Sequence, residues 1–206
     1  MGLQNDVARD LLHIEAVQIK TEKADYFTWT SGIRSPIYCD NRLTMSYPDI
    51  RKRIVAAFVE MLSKSSYKPD VIAGCATAGI PHAAWLADEL DLPMIYVRSK
   101  PKGHGKENQI EGLAVKGQKV LVIEDLISTG GSSIDTANVL REQGMDVEAV
   151  FAIFTYGLKK AANRFQAEKL SLQTITGFDH LLTALVEDKE ITTENEQELL
   201  AWRNQL

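Results

Sequence analysis

Residues 120–133, VLVIEDLISTGGSS, confine the fold more tightly than any other stretch of this 206-residue chain. Val120 to Ile123 form a short apolar run without polar alternation, as expected of a parallel strand buried on both faces. Glu124 and Asp125 close it. A turn of small and hydroxylated residues follows (Ser128, Thr129, Gly130, Gly131, Ser132), and a helical pattern begins at about Ser133 and Ile134. Strand, acidic pair, small-residue turn and helix start together suit a sugar bearing a phosphate. Backbone N–H groups in such a turn and at a helix N-terminus face an anion with no bulky side chain between. The carboxylates would repel a phosphate, so they suit ribose hydroxyls, which donate, or the shell of a magnesium ion. Neither GxxxxGK[ST] nor GxGxxG occurs, which removes the commonest mononucleotide and dinucleotide loops.

The rest of the chain repeats this alternation. Strands are expected at 71–73, 94–97, 120–124, 147–155 and 170–175, with helices at 80–90, 133–143 and 159–167. A further helix starts near Ser46 and Pro48 and carries the stripe Ile50, Ile54, Val55, Phe58, Val59 and Leu62. Val7, Leu11, Leu12, Ile14 and Val17 recur near helical spacing. Residues 26–42, punctuated by Gly, Pro and aromatics, read as two short strands or a hairpin, and 179–206 read as helical. This pattern predicts an α/β fold with a mostly parallel central sheet flanked by helices, in a single domain spanning 1–206.

The net charge of −5 argues against a nucleic-acid or membrane surface. No apolar run is long enough to span a bilayer, and the first residues lack a signal peptide's apolar core. Cys39 and Cys75 have neither metal spacing nor a disulfide framework, and read as reduced thiols of a cytoplasmic protein.

Ligands of open α/β sheets sit at the carboxyl ends of the strands. Two more loops occupy such ends. Residues 74–79, GCATAG, bring backbone amides to a helix start. Residues 98–112, RSKPKGHGKENQIEG, carry Arg98, Lys100, Lys102, His104 and Lys106, with Gly103 and Gly105 flanking His104 as a closing lid requires. Cations arriving on closure would stabilise a polyanionic leaving group in a water-depleted site.

The acidic pair with its Thr/Gly turn resembles the 5-phosphoribosyl 1-diphosphate (PRPP) motif of the type I phosphoribosyltransferases. The spacing Arg98–x3–Lys102–x–His104–Gly105 resembles the catalytic loop of the orotate-specific members. Residues 27–42, FTWTSGIRSPIYCDNR, are similar to FTLxSGxxSPxYF in the hood that covers the base in those enzymes. The resemblance implies ribosyl-5-phosphate transfer from PRPP to orotate in pyrimidine nucleotide synthesis. It implies a hood of about 1–45 plus the C-terminal helices, over a core of about 46–176. Lys102, His104 and Asp125 are then catalytic. PRPP is held by Arg98, Lys102, His104, Glu124, Asp125, Leu126, Ile127, Ser128, Thr129, Gly130, Gly131 and Ser132, with Ser128 also near orotate. Mg²⁺ is carried by PRPP with no metal ligand from the protein, and two chains form a homodimer with shared sites. The alternatives are a purine phosphoribosyltransferase of the same fold and a PRPP-binding regulator. Thr30 stands where some members carry a PRPP-contacting lysine, and Tyr156 stands near a strand end where others carry an orotate-binding arginine.

Overall fold

The computed structural model describes residues 2–28, 32, 34–100 and 109–206. The N-terminal segment holds α1 (Leu3–His13), β1 (Val17–Ile19), β2 (Phe27–Thr28), β3 (Arg34–Ser35) and β4 (Ile37–Cys39). β2 pairs antiparallel with β3, but β4 reaches back to β1, with Val17 opposite Cys39. The expected hairpin is therefore only part of the arrangement. Val17 leaves the helical series because α1 ends at His13 and Glu15 turns left-handed, at φ 56°.

A 3-10 segment, Asn41–Ser46, leads into α2 (Pro48–Ser63). Proline in the first turn needs no N–H partner, which sets that boundary. The core then alternates: β5 (Val71–Cys75), α3 (Gly79–Leu90), β6 (Met94–Val97), β7 (Ile110–Glu111), β8 (Lys119–Ile127), α4 (Gly131–Glu142), β9 (Asp146–Thr155), α5 (Lys159–Ala167) and β10 (Ser171–Gly177). The tail forms two helices, α6 (Phe178–Glu187) and α7 (Thr193–Asn204), the second started by a Thr192–Asn195 capping box.

The main sheet runs β10-β9-β8-β5-β6-β7, parallel except for β7, which pairs antiparallel with β6 at the edge. Alternate residues of each central strand enter different cores. Leu121, Ile123, Phe151 and Ile153 pack against α1, α2, α3 and α6, while Val120, Val122, Val150 and Ala152 pack against α4 and α5. Two apolar layers explain why the strands read as continuous apolar runs. Phe58 and Phe151, both fully buried and stacked 6.5 Å apart, anchor the larger layer. Truncating either is expected to cost about 3–5 kcal/mol.

Candidate functional site

Two boundaries in the acidic motif differ from expectation. β8 runs on through Glu124 and Asp125 to Ile127, because its ladder with β9 continues to the Ile127–Thr155 pair. Helix α4 starts at Gly131, so Ser132 and Ser133 lie in its first turn. The acids thus project from within a strand, and the turn proper is Ser128, Thr129 and Gly130. Ile127 is fully buried in the α4/α5 core, and Leu126 packs partly buried.

The turn is braced from three sides. Gly130 adopts φ +75° as the N-cap of α4, and a Cβ there would lie 2.6 Å from the Phe165 ring. Only glycine fits both demands. Arg164 on α5 donates to the Thr129 carbonyl at 3.2 Å. Ser132 and Ser133 donate back to one carboxylate oxygen of Glu124, at 2.9 and 3.4 Å, and the other oxygen accepts the Asp125 N–H at 3.0 Å. Glu124, 4% exposed, is therefore largely engaged in holding the turn. Asp125 is the freer acid. Burial and the adjacent Glu124 push its carboxyl well above the usual carboxylate range. Such a pair favours an incoming donor or cation.

The acids line a cavity of about 370 Å³ with Asp40, Arg42, Thr77 and Ser132. A second, of about 290 Å³, holds Arg98, Gly131 and Asp135, and shares Ala76 and Ser132 with the first. A larger hollow of about 750 Å³ between α1, β1 and α6 contains none of the motif residues. The 74–79 loop stands between β5 and α3 beside the acids, and its Ala76–Thr77 peptide is cis. Gly79 lets α3 start flush against β8, since a Cβ would fall 2.4 Å from the Ile123 carbonyl oxygen. Arg98 lies just past β6, paired with Glu111 at 3.2 Å, and its N–H donates to the Gln109 carbonyl. Lys102, His104 and Thr30 lie outside the described residues.

The side of the cleft built by residues 40–47 brings in residues that no local pattern marks. Asn41, fully buried, donates to the Asp125 carbonyl at 2.6 Å. Thr44 donates to the Asn41 carbonyl at 2.6 Å and lies 3.4 Å from His82 Nε2. With the Thr44 proton already engaged, His82 Nε2 must donate, leaving Nδ1 as a buried acceptor without a partner among the described residues. Burial lowers the His82 pKa to about 4, so the ring is neutral. Tyr156 is buried, hydrogen-bonded by the Cys39 backbone, and pushed above its ordinary range by burial. Burial also raises Cys39 and Cys75, so both remain thiols.

The chain matches the phosphoribosyl transferase domain family over residues 46–178. It is 58% identical to an orotate phosphoribosyltransferase of Oceanobacillus iheyensis, over 99% of this chain and 100% of that one. A crystal structure of orotate phosphoribosyltransferase from Aeropyrum pernix superposes with a TM-score of 0.76 at 28% identity, covering 90% of this chain and 99% of that chain. Leishmania donovani UMP synthase gives 0.81 at 29% identity, and there this chain spans all of itself but 43% of the longer protein.

Proposed function

This chain belongs to the orotate phosphoribosyltransferases, and from that premise we propose how its residues carry the transfer. The reaction moves the 5-phosphoribosyl group of PRPP to N1 of orotate, giving orotidine 5′-monophosphate and pyrophosphate in pyrimidine nucleotide synthesis. The observation that carries this reading is the acid pair, Glu124 buried and Asp125 half-buried, at the end of a strand whose short turn leads into a glycine-capped helix N-terminus. The orotate ring nitrogen attacks C1′, so the protein supplies position and charge rather than a nucleophile.

Residues 128–132 and the first amides of α4 hold the 5-phosphate. Asp125, with Glu124 behind it, accepts from the ribose hydroxyls and favours positive charge building on the sugar. Ser128 lies beside the base. Arg98, Lys102 and His104 neutralise the departing pyrophosphate, the last two on the strength of sequence spacing. Among the described residues no cluster of three His, Cys, Asp or Glu could cage a metal. The oxygen-only Glu124–Asp125 edge nonetheless suits a hard cation whose remaining ligands come from the substrate. Mg²⁺ bound with PRPP would supply charge neutralisation on the pyrophosphate oxygens. Residues 1–45 with α6 and α7 act as the hood over a core of about 46–176. No helix among the described residues is long and apolar enough to cross a membrane, and a cytoplasmic location fits this chemistry.

A direct assay tests the activity. Full-length protein with Mg²⁺, PRPP and orotate should deplete orotate absorbance, and a chelator should stop it. Turnover of a purine instead would move the chain to another branch of the fold. Binding of PRPP with no transfer to any base would favour a regulator.

A homodimer with shared sites is part of the same reading, supported by the exposed apolar run Leu43, Met45 and Tyr47 beside the cleft. Mixed Lys102→Ala and Asp125→Asn chains, allowed to exchange, should then form one lesion-free site per mixed dimer. Activity should recover to about a quarter of wild type. No recovery despite exchange would mean each chain completes its own site.

A further inference from the structure

We propose that Arg42 recognises the carboxylate of the base and so decides which pyrimidine the cleft accepts, an inference that rests on the transfer reaction above. Orotate brings a carboxylate into a cavity whose described ionisable lining includes Asp40, Glu124, Asp125 and Arg42. Arg42 is the single cation among them. The two other arginine positions fail on geometry. Tyr156 occupies the site beyond β9 and is buried against the Cys39 backbone. Arg34 donates to the Lys23 and Ala24 carbonyls at 2.9 and 3.0 Å, which engages its head elsewhere.

The Arg42 head is presented for such a contact. Nε and Nη2 donate to the two oxygens of Asp40 at 2.6 and 2.7 Å, and the Arg42 N–H donates to Asp40 Oδ1 at 3.1 Å. Backbone and side chain are thus pinned by one carboxylate. That pairing uses the lateral edge of the guanidinium. The end-on fork, Nη1 with the second N–H of Nη2, keeps the geometry that matches a carboxylate bidentately. The side chain is 63% exposed, so a ligand can reach it.

Position favours the base over the pyrophosphate. Arg42 stands three residues beyond β4, on the stretch whose Tyr38 packs against Phe27 at 5.7 Å. Arg98, the described cation of the leaving-group loop, lines the other cavity.

The test compares orotidine and uridine 5′-monophosphates, which differ only in the carboxylate, by calorimetry on the full chain. Wild type should prefer orotidine 5′-monophosphate. Arg42→Gln should shrink that preference by about tenfold or more, the scale of a lost charged hydrogen bond. Uridine 5′-monophosphate affinity should stay within about twofold, with Arg42→Lys recovering part of the preference because charge survives without the fork. Equal weakening of both nucleotides, or no change in either, overturns the assignment. A raised KM for PRPP with orotate preference intact places Arg42 on the pyrophosphate and also overturns it. Wild-type protein that makes no orotidine 5′-monophosphate from PRPP and orotate would sink the transfer reading itself, whatever Arg42 does. Thermal unfolding of each variant separates lost recognition from lost fold.

Discussion

The two walls of the cleft are built in different ways. On the side assigned to the phosphate most ties are short: Ser132 and Ser133 return to Glu124 eight and nine residues earlier, and Gly130 turns the chain between them, with Arg164 bracing the turn from 35 residues away. On the side assigned to the base, short ties within 40–44 are joined by long ones. Asn41 reaches Asp125 across 84 residues, Thr44 reaches His82 across 38, and Trp202 donates to the Arg34 carbonyl across 168. A wall made of short-range bonds depends on its own sequence, whereas a wall assembled from distant segments depends on the whole fold. Donor specificity and base specificity should therefore respond separately to mutation.

Removing the Asn41 side chain is the strongest way to break that separation. Asn41→Ala leaves the Asp125 carbonyl without its donor and should cost about 2 kcal/mol of stability in chemical denaturation. Its kinetic effect should be a raised KM for orotate with that for PRPP nearly unchanged. If both rise together, the walls are one unit. Asp125→Asn sits at their junction and keeps shape while losing the capacity to ionise. Turnover should fall at least tenfold, on the order of 1.4 kcal/mol, in a protein that unfolds at the wild-type temperature. Unchanged turnover would remove Asp125 from the ribose.

The smallest expected effect is a pH dependence confined to the assembled wall. His82 titrates near 4 when folded against about 6.5 when unfolded, because burial disfavours its charged form. Between those values the unfolded chain binds more protons, so this residue's contribution to stability is lost as pH falls from 6.5 toward 4. Wild type minus His82→Gln should show the difference growing to about 1 kcal/mol near pH 5.5. A flat difference would mean that His82 is charged, or already exposed, in the folded protein.

The local wall was largely legible in the sequence. The run of apolar residues, the acid pair and the Thr/Gly turn each act through bonds within a few positions, so residue order and spacing carry the information. Even there the ends moved. β8 extends to Ile127 because β9 lies beside it, and α4 begins early because Gly130 is left-handed. No periodicity in 120–133 records either cause.

Along the chain, order and apolar periodicity determined the alternation of strands and helices, the parallel sheet and the place of the phosphate turn, since hydrophobic burial and turn chemistry act residue by residue. Tertiary structure alone decided that β4 pairs with β1, that Ile127 belongs to the core and that Asn41 holds Asp125. It also decided that Arg42 shares a cavity with the acids while Arg34 is turned away. Such contacts join segments whose separation leaves no local trace. Only the packed sheet and its helices bring them within hydrogen-bonding distance.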